Sequence, residues 1–344
     1  MSSPQPTAPY AALHADPKGA GDGRPTATRI IEDEDLVDAL PGKVMLITGT
    51  TSGIGIDTVR ALHLTGADIY MQARNLAKAE QTRSDILTTT TGKGKLEILL
   101  MDLTSLESVR QGVAQLLTKT KTLNILINNA GVRNTPEGRT VDGFETQFAV
   151  NHLAHFLLFE LLRPTLLASS TPTFHSRVVN VTSGSHRGSQ VNFENPNLDS
   201  IYAPRLAYSQ SKTANILMAN EIERRFGPRG LHGLSVHPGC IITGLQVHDL
   251  PTPEEKEKLL AANPVLAKVM KSTTQGAATQ VWAAVAKVWE GKGGVYLEEC
   301  RLGHQSEEPD LENGGVKAYC FDQDAQQKLW DLSCRMVGVD AADS

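Results

Sequence analysis

From Lys43 to Glu298 the chain repeats one pattern: a short, nearly continuous apolar run, then a longer segment of helical periodicity. The runs are KVMLIT, ADIYMQ, KLEILLM, LNILIN, SRVVNVT, LHGLSVH and GGVYLE, and helical segments start near Gly53, Asn75, Ser105, Asp142, Ala207 and Thr274. A strand with one wet face alternates polar and apolar residues. Runs that are apolar throughout must be covered on both faces, as crossover helices cover a parallel sheet. The pattern predicts an α/β fold over residues 41–300: one domain with a seven-stranded, mainly parallel, doubly wound sheet. Such sheets bind ligands at the carboxyl ends of their strands, so the residues just after each run are the ones to inspect.

The flanks read differently. Residues 1–27 are rich in Pro, Gly and Ala, and TRIIEDEDLVDAL follows. Together they predict a mobile tail over residues 1–40 that ends in a short acidic helix, stopped by Pro41-Gly42. Residues 301–344 form a C-terminal extension with a helix in DQDAQQKLWDLSCRMV. A net charge of −5 offers no basic surface for nucleic acid or an anionic membrane. Cys240, Cys300, Cys320 and Cys334 show neither CxxC nor metal-ligand spacing, so reduced thiols are expected. The start of the chain lacks the basic and apolar regions of a signal peptide, and no apolar stretch reaches membrane-spanning length. A soluble, cytoplasmic protein is the expectation.

The first run leads directly into TGTTSGIG, Thr48 to Gly55. Glycines at a strand-to-helix turn bring backbone close to a pyrophosphate, and the helix N-terminus presents free N–H groups to it. The spacing, Gly49-x-x-x-Gly53-x-Gly55, departs from the common GxGxxG. After the second run, YMQARN offers Arg74 and Asn75 and no acid. A guanidinium suits a 2′-phosphate, which favours NADP(H) over NAD. Asp102 has two readings: a cap for the helix starting near Ser105, or an acceptor for the adenine amino group. In YSQSK, Tyr208 and Lys212 are one helical turn apart on one face, where an ammonium lowers the pKa of a phenol. Ser183 ends the fifth run. His152 and His155 share a helix face without a carboxylate or cysteine cluster, so no metal is expected. His186 is either a substrate contact or a surface residue. Asn180-Val-Thr182 fits a glycosylation pattern inside a buried run and is discounted.

In this order TGTTSGIG, NNAG (Asn128 to Gly131), NHLAHF from Asn151, Ser183 in VVNVTS, Tyr208-x-x-x-Lys212 and HPGCIIT resemble the short-chain dehydrogenase/reductase family across residues 42–300. The resemblance is strongest to the retinol-dehydrogenase-like branch and related fungal reductases. It implies a Rossmann domain, NADP(H) as cofactor, and hydride transfer between nicotinamide and a carbonyl or alcohol. Tyr208 is then the general acid/base. Lys212 binds the nicotinamide ribose and lowers the tyrosine pKa, Ser183 orients the substrate, and Asn151 joins a proton-relay water chain. Gly49, Thr51, Ser52, Gly53, Ile54, Gly55, Arg74, Asn75, Asp102, Leu103, Asn129, Ala130, Gly131, Pro238, Gly239, Ile241 and Thr243 line the cofactor with Tyr208 and Lys212, the two isoleucines mainly through backbone. Ser183 and Tyr208 are separated by 25 residues, wider than in many members, and the loop 184–207 is expected to border the substrate. Members of this branch often carry a membrane anchor before the first strand, and this chain shows none there. The implied substrate is a small carbonyl or alcohol of apolar, secondary-metabolite-like character, handled by a homodimer or homotetramer. Two other classes stay in view: a cyclase or isomerase using NADP as scaffold, and an NADP-sensing binding module that presents its tail.

Overall fold

The computed structural model describes residues 7–249, 252–308, 310–311 and 314–340. The first six residues of the expected tail and the last four of the extension lie outside them. The seven apolar runs form strands β1 (Val44–Ile47), β2 (Asp68–Ala73), β3 (Leu96–Leu100), β4 (Ile125–Asn128), β5 (Ser176–Val181), β6 (Leu231–His237) and β7 (Val295–Glu298). They are parallel, in the order β3-β2-β1-β4-β5-β6-β7. Chain order reverses between β1 and β4, which opens a crevice at their carboxyl ends.

The sheet has eight strands rather than seven. β8 (Arg301–Leu302) pairs antiparallel with β7 after a two-residue turn. Glu299 and Cys300 in that turn take φ of +52° and +49°, where Asn or Gly is usual. Tertiary contacts hold the strained turn: Glu299 pairs with Lys271 at 2.8 Å and with His14, and Cys300 is buried. Neither its two-residue length nor its Glu-Cys turn marks β8 in the sequence.

Two apolar layers cover the sheet. One joins β1, β2 and the flanking helices Ile54–His63 and Ala278–Val285 to residues before the first strand, including Tyr10, Ile30, Ile31, Leu36 and Leu40. The expected mobile tail is therefore replaced, from residue 7, by a segment packed on the domain. Polar contacts, which a search for apolar runs does not see, add to these apolar anchors. The Tyr10 hydroxyl donates to Asp33 at 3.1 Å. Buried Arg24 donates to Val269 O at 3.0 Å, and Gly21 N–H donates to Gln275 Oε1 at 2.9 Å. The opposite layer contains the helices Leu106–Lys119, Ala154–Ser169 and Pro204–Phe226. The C-terminal helix Gln323–Val337 completes it, with Trp330 edge-on to Phe156 at 5.0 Å. Among the described residues no helix is long and apolar enough to cross a membrane.

Candidate active site

The turn after β1 is shaped by close approach. Gly49 has φ +71°, and a Cβ there would stand 2.8 Å from Ala130 Cα. A Cβ on Gly55 would stand 2.1 Å from the Gly49 carbonyl oxygen. Gly55 thus seats the helix Ile54–His63 against the turn and does not itself line the crevice, contrary to its expected place beside the cofactor. Thr48 ties the turn to β4: its Oγ1 accepts from the N–H groups of Asn129 and Ala130 at 2.9 Å each, and its carbonyl accepts from Asn129 Nδ2 at 2.8 Å. Gln72, which sequence reasoning passed over, accepts from Gly49 N–H at 2.9 Å and donates to Met101 O at 2.6 Å. Four strand ends are thereby fixed around one helix N-terminus, which leaves Thr51, Ser52, Gly53 and Ile54 lining the crevice.

Further along lie Arg74, Asn75, Lys78, Asp102 and Leu103. Arg74 is exposed and forms no ion pair or hydrogen bond among the described residues. Lys78 adds a second cation that the sequence reading missed. Asn75 is occupied as a helix cap, its Oδ1 accepting from Lys78 N–H at 2.9 Å. The cap reading of Asp102 is corrected: Ser105 caps the helix Leu106–Lys119, while Asp102 accepts from the N–H and hydroxyl of Thr104 at 2.9 and 2.8 Å.

At the other end stand Ser183, Tyr208 and Lys212. Pro204 opens the helix Pro204–Phe226, and Tyr208 and Lys212 follow on one face. Polar staples hold this helix to the end of β5. Lys212 Nζ and Asn215 Nδ2 both donate to Val181 O, at 3.0 and 3.1 Å, and the Thr182 hydroxyl donates to Lys212 O at 2.6 Å. Burial drives the Tyr208 phenol above its ordinary value, and Asp249 adds to this. The Arg133 charge and a hydrogen bond with Ser183 act in the opposite sense. Burial alone lowers Lys212 to about 8.

Asn151 is brought near but not into the crevice. It sits in a π-helical turn, Ala149–Leu153, ahead of the helix Ala154–Ser169. Its Oδ1 accepts from Val132 N–H at 2.8 Å, and its Nδ2 donates to Val132 O and Ser211 Oγ, both at 2.9 Å. The side chain thus pins the loop after β4 to the Tyr208 helix. His152 and His155, both buried, take separate partners: Ser333 Oγ at 2.7 Å and Thr48 Oγ1 at 2.9 Å. His186 is neither substrate contact nor surface residue. It is buried against Tyr296, with Nδ1 2.7 Å from Ser183 O.

Asn129, Ala130, Gly131, Pro238, Gly239, Ile241 and Thr243 line the remaining wall. His237 joins two loops there: its Nδ1 accepts from Gly184 N–H at 3.2 Å and Gly239 N–H at 3.4 Å. Of the loop 184–207, only Gly184, Ser185 and Arg187 reach the crevice. The rest packs away from it, Tyr202 donating to Thr135 O at 2.7 Å and Asn197 accepting from Glu145 N–H at 2.9 Å. The crevice measures about 1560 Å³, beyond the usual span of small-molecule pockets. Its outer wall comes from elsewhere and is mixed: Ala11, Ala15 and Pro17 near the N-terminus and Leu259, Leu266, Val269 and Met270 after β6 are apolar, while Arg24, Glu298, Glu299 and Arg301 are charged.

A doubly wound sheet with a glycine turn at its switch point, facing a gathered Ser, Tyr and Lys, defines a dinucleotide-type oxidoreductase crevice. The family model for short chain dehydrogenases matches residues 43–253, and the chain belongs to that family. It is 47% identical over 330 residues to the short-chain dehydrogenase/reductase prx1 of Penicillium roqueforti, covering 96% of this chain and 95% of that one. Human polyprenol dehydrogenase is 36% identical over 308 residues, covering 89% and 88%. Among solved structures, an uncharacterised Mycobacterium paratuberculosis protein aligns with a TM-score of 0.66 at 29% identity, covering 89% of this chain and 97% of that one.

Proposed function

We propose that the protein is an NADP(H)-dependent oxidoreductase that interconverts a ketone or aldehyde with an alcohol, working mainly as a reductase on an apolar substrate. The observation that carries this reading is the gathering of Ser183, Tyr208 and Lys212 at one end of a crevice whose other end carries Arg74 and Lys78. The residues present suit the cofactor. A helix N-terminus opens at the glycine turn for a pyrophosphate, and Arg74, with no carboxylate partner among the described residues, suits a 2′-phosphate. Bound there, the nicotinamide supplies or receives the hydride.

The chain's own groups handle the proton. Ser183 presents its hydroxyl to the substrate oxygen, and Tyr208 donates its phenolic proton to that oxygen as negative charge develops on it. Lys212 and Arg133 stabilise the phenolate left behind. The apolar side chains Leu259, Leu266, Val269 and Met270 in the lining and the name of the polyprenol relative both support an apolar substrate.

A panel of apolar ketones and aldehydes, followed by loss of NADPH absorbance with the Tyr208→Phe protein as blank, tests the reading. Stoichiometric NADPH oxidation and alcohol formation are expected. Product formation without NADPH consumption would contradict it.

A further inference from the structure

We propose that Arg133 sets the acidity of the Tyr208 phenol and that Asp249 is its counterweight, which rests on the reading of Tyr208 as the acid/base group. Arg133 lies two residues beyond Gly131, on the loop after β4. Its guanidinium carbon stands 5.6 Å from the centroid of the Tyr208 ring, the same distance as Lys212 Nζ. Asp249, on the loop after β6, lies 3.1 Å from Arg133 Nε. Asn134, held at φ +48°, donates from Nδ2 to Asp249 Oδ1 at 2.7 Å and fixes the carboxylate in that place. Tyr208 is thus faced by Arg133 from one loop, Asp249 from another, Ser183 from the end of β5, and Lys212 from its own helix.

The two cations are not equivalent. Lys212 is almost wholly buried, is held by a carbonyl, and loses its charge above about 8. A guanidinium keeps its charge throughout the range in which an enzyme works. Arg133 therefore provides the cation that persists where the phenolate matters most, and it acts through Tyr208 as a positioning residue. Asp249 limits the effect, since its charge opposes ionisation of the phenol.

The opposite signs of the two charges give a test that a mere tether between loops would fail. The full chain is prepared with tyrosine labelled with ¹³C at Cζ. Its six tyrosines give a small set of signals, and loss of one in Tyr208→Phe assigns the phenol. The phenolate fraction at about pH 10 is compared in the wild type, Arg133→Gln and Asp249→Asn. Arg133→Gln is expected to lower it about tenfold and Asp249→Asn to raise it, while Arg133→Lys stays close to wild type. Equal fractions in all proteins, or a change of the same sign in both charge-removing variants, would overturn the proposal. Should Arg133→Gln not fold, Asp249→Asn decides by whether its fraction rises. The titration needs no substrate, so a chain that reduced no carbonyl would still answer it, and failure of the reductase reading remains a separate result.

Discussion

Lys212 donates from Nζ to the carbonyl of Val181 at 3.0 Å, so the cation one turn beyond Tyr208 is anchored by the protein's own backbone at the end of β5. That anchoring is inside the protein, and burial draws Lys212 down from 10.5 to about 8. Between these values the unfolded chain binds more protons than the folded one, so this group's contribution to stability rises with pH across that window. Below about 8 the full penalty stands. Lys212→Met removes the dependence. Urea unfolding at both ends of the window should show the stability difference moving toward wild type by up to about 3 kcal/mol as pH rises. A difference that stays constant with pH would count against a buried ammonium.

Arg74 reports on the cofactor. Replacing it with Asp puts a carboxylate where a 2′-phosphate is proposed to bind, leaving Lys78 as the nearby cation in the crevice wall. The ratio of kcat/KM for NADPH to that for NADH should fall by at least about 10-fold, in keeping with one lost charge-assisted contact. An unchanged ratio would remove the basis for NADP(H).

Asn151→Ala deletes three hydrogen bonds that tie the loop after β4 to the Tyr208 helix. A loss of about 2–4 kcal/mol is expected in chemical denaturation, together with lower kcat and an unshifted pH–rate profile. Full stability with lost activity would instead favour a direct role in proton transfer.

The sheet and its site were legible to different depths. Runs such as KVMLIT and LNILIN are nearly apolar throughout because β1 and β4 are covered on both faces, so period and burial agreed. Arg74, Ser183, Tyr208 and Lys212 were legible because they follow strands or share a helix face. Gln72 in β2, Lys78 on the helix after it and Arg133 on a loop were not, because each depends on which elements the fold brings together at the crevice. Asn151 was legible as a site residue, but its hydrogen bonds to Val132 and Ser211 were not, since they join segments far apart in sequence. The packing of the segment before the first strand was missed because its apolar anchors, Tyr10, Ile30, Ile31, Leu36 and Leu40, are scattered among polar, Pro and Gly residues, and Arg24 and Tyr10 add polar contacts to distant parts of the chain.

Arg24→Ala tests that segment. It would leave the carbonyls of Val269 and Met270 and the carboxylate of Asp22 without the buried guanidinium they share. About 2–4 kcal/mol of stability should be lost. KM for bulky apolar substrates should rise more than KM for NADPH, because Val269 and Met270 belong to the outer wall. Equal effects on both would place the segment outside substrate binding.

The most direct test of the account is single-turnover reduction by Tyr208→Phe, with NADPH affinity measured alongside. The phenyl ring keeps the packing of this buried position and removes the hydroxyl proposed to protonate the nascent alkoxide. The account predicts a fall in hydride-transfer rate of at least about 100-fold, with NADPH binding close to that of the wild type. A Tyr208→Phe protein that reduces its substrate at the wild-type rate would contradict it.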